Sequence, residues 1–253
     1  MELIRCLVNL AKLVAEGIRK IILVIQLNNR AFKLHRQGRC DEAVTLAEQA
    51  LELLLSVSLG DNRLVASCLN YLAFLYYSQG RYSEAEPLYQ QVLAMLQRLF
   101  KGAHSDMANS LNNLALLYYS QGRYSEAEPL YQQALAMMQH LFKGAHPDVA
   151  QSLNNLALLY QSQGRYSEAE PLHQQALAMF QRLFKGAHPD VAKSLNNLAL
   201  LYYSQGKYSE AEPLYSQALA MFQRLFKGDH PDVANSLNNL ALLYKSQGKY
   251  SEA

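Results

Sequence analysis

The sequence is short of charge, of cysteine and of long uncharged apolar segments, and each shortage argues against a class of protein. Charged residues make up 17% of the 253 residues, and the formal net charge is +2. Typical soluble domains carry about 25%. The Lys and Arg residues are spread among Glu and Asp, so the basic stripe that nucleic-acid binding needs is missing, and membrane-surface binding has no charge support. We therefore expect no nucleic-acid partner and no membrane partner.

Cysteine is scarce. Cys6, Cys40 and Cys68 are an odd number and lack the spacing of a disulfide framework or a zinc site. We expect reduced thiols and a cytoplasmic protein. The first 26 residues are rich in apolar side chains, but charged residues interrupt them, so no stretch approaches the roughly 20 uncharged residues of a membrane span. A small-residue cleavage site of the secretory type is also missing there.

The sequence is rich in self-similarity. The octapeptide Leu-Asn-Asn-Leu-Ala-Leu-Leu-Tyr recurs every 42 residues, and the copies from Leu111 and Leu153 differ at five positions of the period. A fixed period of this length predicts stacked supersecondary units that each touch only their neighbours. We divide the chain into residues 1–26 and an array over residues 27–253. The repeats begin at Leu27, Leu69, Leu111, Leu153 and Leu195, with a truncated one at Leu237.

Each repeat contains the pattern of two antiparallel helices. Leu111, Leu114, Ala115 and Tyr118 recur at helical spacing, and Gly122 ends that helix because glycine adopts the left-handed conformation without strain. Alternation with a period of two is missing, which argues against propeller strands.

The second helix of the repeat has its own start and stop signals. Ser125 and Glu128 predict a capping box, with Pro129 in the first turn, and the helix is expected to run to about Phe142. His146 is then expected to cap the turn before Pro147 and Asp148, which open the next helix.

The repeated motif resembles a known family, the tetratricopeptide repeat. The matching residues are Leu111-x2-Leu114-Ala115-x2-Tyr118, then Gly122, Tyr124, Ala127-x3-Tyr131 and Ala134. Leu replaces the usual Trp, Ala replaces the first Gly, and the period exceeds the usual length of about 34 residues. The longer form, with Gly228–Ala234 as Gly-Asp-His-Pro-Asp-Val-Ala, is similar to the kinesin light chain type. The resemblance implies an all-α fold, a right-handed superhelical α-solenoid of antiparallel helix pairs.

The segment before the repeats departs from that family. Kinesin light chains carry a long heptad coiled coil that holds the motor chain, whereas here 26 residues precede the first repeat. Their apolar seam is interrupted at Gly17. We expect a helix over Glu2–Glu16 that caps the first face of the array; a dimerising helix is the alternative. The seam consists of Leu3, Leu7, Leu10, Val14, Ile18, Ile21 and Ile25. The departure argues for a module of similar repeats rather than a motor subunit.

The resemblance also implies a binding surface, a concave groove lined by the first helices that holds an extended peptide. A carboxamide donates and accepts, so asparagines can hold a peptide backbone without selecting its sequence. The candidate peptide-binding residues are Asn70, Tyr77, Asn109, Asn112, Asn113, Tyr119, Gln151, Asn154, Asn155, Gln161, Lys193, Asn196, Asn197, Tyr203, Asn235, Asn238, Asn239 and Lys245. The alternative is that one of the two asparagine ladders bonds between repeats and fixes their spacing.

The groove residues suggest the chemistry of the ligand. Lys193 and Lys245 supply cations, with His35 and Arg36 at the other end, and Asp and Glu are missing from these positions. The floor of the groove is expected to be apolar, with Phe74, Leu116, Leu158, Leu200 and Leu242. We therefore expect a protein or peptide segment with aromatic or aliphatic anchors and mild acidity.

Candidates for catalysis and metal binding are weak. His104, His146, His188 and His230 recur once per repeat, but neighbouring helices pack ~10 Å apart, whereas zinc ligands lie ~2 Å from one ion. Phosphate loops, nucleophile elbows and metal-binding His-Glu motifs are missing from the sequence. We expect no enzyme activity, no cofactor and no metal.

The last repeat stops at Ser251–Ala253, where a second helix should begin. We expect that the natural chain continues, or that the uncapped C-terminal face supports self-association. Three functions follow: a peptide-binding scaffold, a structural or self-assembling repeat module, and a regulatory array for an effector domain absent from this chain.

Overall fold

The computed structural model describes the backbone of residues 2–57 and 60–249, with side chains from residue 14. Within these ranges the chain is helical throughout and contains no strand, which confirms the predicted all-α fold of antiparallel helix pairs. The helices are α1 (Glu2–Arg36), α2 (Cys40–Leu55), α3 (Arg63–Ser78), α4 (Tyr82–Leu99), α5 (Ser105–Ser120), α6 (Tyr124–Leu141), α7 (Pro147–Ser162), α8 (Tyr166–Leu183), α9 (Pro189–Ser204), α10 (Tyr208–Leu225) and α11 (Pro231–Ser246).

The chain forms two compact units. Unit 1 comprises Met1–Gly102 and Asn109–Gln121, and unit 2 comprises Ala103–Ala108 and Gly122–Ala253. In unit 1, α1 packs on α2, α2 on α3 and α3 on α4. In unit 2, each helix from α6 to α11 packs on the next one. The end of α1 and the helices α3, α5, α7, α9 and α11 are the first helices of their repeats; the others are the second helices.

Small residues allow the helices of a repeat to approach closely. Ala127 and Ala134 of α6 and Ala169 and Ala176 of α8 are completely buried. Large side chains fill the space between successive repeats; Tyr215 of α10 packs with Leu240 and Leu243 of α11.

The ends of the first helices agree with the sequence analysis. Gly122 adopts φ +74° two residues after the end of α5, and Gly164 repeats this after α7. The amide of Gly164 donates to the carbonyl of Gln161 at 2.9 Å, and that of Arg165 donates to the carbonyl of Tyr160 at 2.8 Å. The predicted glycine terminator is confirmed.

The predicted capping box at Ser125 is wrong. Helix α6 begins at Tyr124, its N-cap is Arg123, and the Arg123 side chain makes no capping hydrogen bond. The carbonyl of Arg123 accepts from the amide of Ala127 at 3.1 Å, so the helix starts two residues earlier than we expected. Pro129 is therefore the sixth helical residue. The guanidinium of Arg123 instead pairs with the Glu126 carboxylate, one turn on, at 2.6 and 2.7 Å.

The N-terminal helix is longer than predicted. Helix α1 runs from Glu2 through Gly17 to Arg36, so it does not end near Glu16. It contains both the expected capping segment and the first helix of the first repeat. The division at residues 26 and 27 and the capping role stay predictions. The expected second helix from Ser251 lies outside the described residues.

Candidate functional site

The candidate peptide-binding positions of unit 2 lie side by side on its first helices. The residue before the last one of each first helix bonds to the following first helix. Gln161 Nε2 donates to Ser204 Oγ at 3.1 Å, and the hydroxyls of Tyr203 and Ser246 share a hydrogen bond of 2.9 Å. We call this surface the unit 2 face. It consists of Gln151, Leu158, Gln161, Lys193, Leu200, Tyr203, Asn235, Leu242 and Lys245.

The unit 2 face combines amide side chains, leucines and two lysines. Lys193 and Lys245 are exposed, as are Gln151, Asn235, Leu200 and Leu242. Asp190 lies one turn before Lys193, where its carboxylate is 3.7 Å from the Nδ1 atom of His188. The exposed amides can donate and accept hydrogen bonds, and the leucines can contact an apolar side chain.

The two asparagine ladders differ in position. The Asn154 side chain is only 3% exposed, and its Nδ2 donates to Ser194 Oγ of the next first helix at 3.5 Å. Asn196 makes the equivalent bond to Ser236 at 3.1 Å. These two asparagines therefore connect successive repeats, as the alternative hypothesis expected. Asn238, at the same position of the last described helix, is exposed.

Other asparagines lie nearer the surface. Asn155 is half-buried and accepts from Gln151 Nε2 at 2.9 Å. Asn197 and Asn239 are also half-buried. In unit 1, Asn113 Nδ2 donates to Asn70 Oδ1 at 2.9 Å, a bond between repeats. In unit 2, Asn155 and Asn197 are therefore better candidates for contact with a ligand than Asn154 and Asn196, whose amides bond between first helices.

Unit 1 carries the remaining candidates on α3 and α5. Tyr77 is half-buried, and its hydroxyl shares a hydrogen bond of 2.9 Å with Ser120. Asn109 is exposed, whereas Asn112 and Tyr119 are half-buried.

Unit 1 also contains a pocket that the sequence analysis missed. It lies between α1 and α3 and has a volume of about 270 Å³. Its lining residues are Asn28, Asn29, Phe32, Leu64, Ser67, Cys68 and Tyr71. Phe74 extends the aromatic surface, since its ring lies 6.4 Å from that of Tyr71 and 5.3 Å from that of His35.

Two polar atoms of this pocket lack partners among the described residues. The Oδ1 atom of Asn28 and the hydroxyl of Tyr71 are buried without a hydrogen bond. Burial raises the pKa of the Cys68 thiol. The hydrogen bond that Asn28 Nδ2 donates to Cys68 Sγ, at 3.3 Å, lowers this pKa by a smaller amount. The sequence contains a sign of this pocket, because two of its lining residues depart from the repeat. Leu64 stands where later repeats have Asp, and Tyr71 stands where they have Asn.

The repeated histidines cap helices, as predicted. His146, His188 and His230 are the N-caps of α7, α9 and α11, and each Nδ1 accepts from the amide two residues on, at 3.2 to 3.3 Å. Each ring also stacks on a phenylalanine; the His188 and Phe184 centroids are 3.5 Å apart. Among the described side chains, no three His, Cys, Asp or Glu groups are placed to hold a metal ion.

Ion pairs join the second helices to the preceding repeats. Arg165 stacks on the Tyr160 ring at 4.0 Å and donates to Glu128 at 2.8 Å and to Glu168 at 2.7 Å. The bond from Arg165 lowers the pKa of the exposed Glu168 carboxyl. These charges neutralise each other locally and leave Lys193 and Lys245 as exposed cations of the unit 2 face. No helix in the described ranges is sufficiently long and apolar to cross a membrane.

Comparison with solved structures identifies proteins with the same fold. BtubC (BKLC) from P. vanneervenii is 27% identical, with a TM-score of 0.66, over 94% of this chain and 86% of that protein. A putative kinesin light chain from Podosopora anserina, with nearly identical repeats, is 26% identical with a TM-score of 0.68, over 83% and 99%. A Rap protein complexed with Competence and Sporulation Factor is 17% identical, with a TM-score of 0.66 over 90% and 70%, and shows the fold alone.

The sequence itself identifies the family. No curated protein matches the chain. The family model described as tetratricopeptide repeat matches residues 23–98, 106–182, 148–224 and 190–253. Proteins built from this repeat are in general non-enzymatic scaffolds for protein interactions. The chain belongs to the tetratricopeptide repeat family and resembles its kinesin light chain type.

Proposed function

We propose that this scaffold binds an extended peptide segment of a partner protein on the exposed face of its first helices, in the cytoplasm. One observation supports the proposal most: in unit 2, two positions of the unit 2 face carry a different residue in each of three successive repeats. The same position is occupied by Gln151, Lys193 and Asn235, and another by Gln161, Tyr203 and Lys245.

The exposed positions of the second helices vary less than these two positions. Most of their exposed positions are identical in three successive repeats, and two change once, as Gln132, Gln174 and Ser216 and as His140, Arg182 and Arg224. The constant positions include Glu126, Glu168 and Glu210; Pro129, Pro171 and Pro213; Gln133, Gln175 and Gln217; and Ala136, Ala178 and Ala220. Drift would change exposed positions on both helices to a similar degree. Variation at every repeat on one face is what a surface needs in order to place a different neighbour beside each ligand residue.

The contacts suggest what the peptide carries. Lys193 and Lys245 favour a ligand with carboxylates, and Leu200 and Leu242 favour aliphatic contact. In unit 1 the pocket between α1 and α3 has aromatic walls, and the unpartnered Asn28 Oδ1 would accept a hydrogen bond from a ligand N–H or O–H. We therefore propose aromatic or aliphatic anchors with acidic neighbours.

A displayed-peptide selection on the full chain tests this proposal. We expect enrichment of a shared motif, and the enriched peptide should bind about tenfold more weakly to a variant with Lys193→Glu and Lys245→Glu, a loss of ~1.4 kcal/mol. The matched control is Lys185→Glu with Lys227→Glu, because these exposed lysines lie in turns and receive the same charge change.

The outcomes separate the hypotheses. If no peptide is enriched, the peptide-binding proposal fails and a structural module becomes the better explanation. If both variants lose affinity equally, net charge rather than the unit 2 face governs binding. A motif without acidic residues would retain the scaffold function and refute the proposed ligand chemistry.

A further inference from the structure

Helix α1 carries an apolar face that is exposed in the structure. Val14, Ile18, Ile22 and Ile25 expose 54%, 53%, 50% and 49% of their surfaces, and Ile21 exposes 37%. Their spacing of three or four residues places them in one stripe along the helix. In contrast, Val24 and Ala31 of the same helix are completely buried in unit 1. Exposed contiguous apolar surface of this kind marks an interaction site more often than single exposed residues do.

The stripe continues a seven-residue pattern of the sequence. Ile4, Ala11, Ile18 and Ile25 occupy one heptad position, and Leu7, Val14 and Ile21 occupy the position three residues later. The opposite stripe is polar except at Leu23, with Arg5, Asn9, Lys12, Glu16, Arg19, Gln26 and Arg30. A strict period of 3.5 residues favours a helix that winds around another helix. Since α1 is continuous through Gly17, its register is not broken.

The available area is a substantial part of what a specific interface needs. Full burial of one aliphatic side chain removes about 100 Å² of apolar surface from water, so five half-exposed side chains offer roughly 250 Å² per chain and roughly 500 Å² per pair. In the sequence, Ile4, Leu7 and Ala11 continue the two heptad positions before residue 14. The described side chains alone supply about half of the ~1,000 Å² expected of a biological interface.

We propose that two copies of this chain associate through α1, with Ile18 in the middle of the seam. The pairing covers the side chains from Val14 to Ile25 and would replace the capping role that the sequence analysis expected for this segment. It does not depend on peptide binding by the first helices. The alternative occupant is a membrane surface, since the polar stripe carries several cations. The heptad period favours a second helix, because a flat membrane imposes no supercoil.

Sedimentation equilibrium of the full chain tests the proposal. We expect the mass to rise with concentration from 28.5 kDa toward twice that value, 57.0 kDa. Ile18→Lys places a charge on the seam and should weaken association at least about tenfold. Because Ile18 is exposed, the thermal unfolding of the variant by circular dichroism should remain that of the original helical chain. The matched control, Gln26→Lys on the polar stripe, should associate like the original chain.

Three results would overturn the pairing. The first is a mass of 28.5 kDa at every concentration. The second is an Ile18→Lys variant with unchanged association, which would move the contact to another surface such as α11, where Leu237 is 49% exposed. The third is a monomer that co-sediments with vesicles of anionic lipid and loses this property with Ile18→Lys, which would assign the stripe to a membrane.

Discussion

The Nδ1 atom of His173 lies 2.9 Å from the Oδ1 atom of Asn154, and both side chains are buried in unit 2. Three other repeats place a tyrosine at the histidine position, namely Tyr89, Tyr131 and Tyr215. A carboxamide oxygen only accepts, so the neutral ring donates through Nδ1. The Nε2 atom of His173 is buried and has no hydrogen-bond partner among the described residues.

The buried histidine predicts a loss of stability in acid. Burial lowers the pKa of His173 from 6.5 to about 4. Between these values the unfolded chain binds more protons than the folded one, so the free energy of unfolding falls as the pH drops from 6.5 toward 4. The decrease is limited to ~1.4 kcal/mol per pH unit, on the order of 3 kcal/mol in total.

Urea unfolding of the original chain and of His173→Tyr across this pH range measures the effect. The other histidines are common to both proteins, so the difference between the two pH profiles isolates His173. We expect the tyrosine variant to lose less stability in acid. Parallel profiles would show that the buried histidine does not titrate in this window.

Asn154 and Asn238 occupy the same repeat position and should respond differently to alanine. Asn154→Ala leaves Ser194 and the buried His173 without a partner and should reduce the free energy of unfolding by about 1–3 kcal/mol. Asn238→Ala, at an exposed site, should stay within about 0.5 kcal/mol of the original chain. Chemical denaturation of both variants checks this. If Asn154→Ala changed the free energy of unfolding as little as Asn238→Ala, the hydrogen bonds of Asn154 would contribute nothing to stability.

The histidine caps predict an ordering of two substitutions at His188. Asn62, which stands at the equivalent position before α3, caps that helix by accepting from the Val65 amide at 2.9 Å. His188→Asn should therefore preserve the cap and lose only the stacking on Phe184. His188→Ala should lose both and cost about 1 kcal/mol more. Thermal or urea unfolding compares the two; an alanine variant as stable as the asparagine variant would contradict the capping role.

Gly164 and Gly17 should respond to alanine with opposite signs. A methyl group added at either glycine would meet no atom within 4 Å, so steric contact does not distinguish the two sites. Gly164 has φ +74°, where a side chain costs roughly 1–2 kcal/mol. Gly17 lies inside α1, where alanine gains about 0.5–1 kcal/mol of helix propensity. Differential scanning calorimetry should show a lower melting temperature for Gly164→Ala and a higher one for Gly17→Ala.

Much of the fold was accessible from the sequence because its signals are local. The positions of Gly122 and His146 predicted where one helix ends and the next begins, and both are confirmed. The capping box predicted at Ser125 was wrong, because the same residues occur in the sequence whether the helix begins after Ser125 or two residues earlier. In the structure the Arg123 carbonyl accepts the first hydrogen bond of the helix, from the Ala127 amide.

The candidate site was less accessible for a geometric reason. Neighbouring residues of a helix point about 100° apart, so Asn154 and Asn155 read alike in the sequence. The serine of the next repeat draws Asn154 into the stack and leaves Asn155 nearer the surface. The pocket beside Asn28 and Tyr71 is lined by residues of two helices about 40 positions apart. Their departures from the repeat did not predict a pocket, because the pocket forms only where the two helices pack.

The sequence by itself determined the 42-residue period, the helix pair within it and the polar caps at its ends, since each depends on side chains within one or two turns of one another. The tertiary structure alone decided which asparagine is buried, that α1 continues through Gly17 with an exposed apolar face, and that an aromatic pocket opens in unit 1. These features depend on which surfaces meet between helices, and contacts over such distances are not encoded in any local pattern.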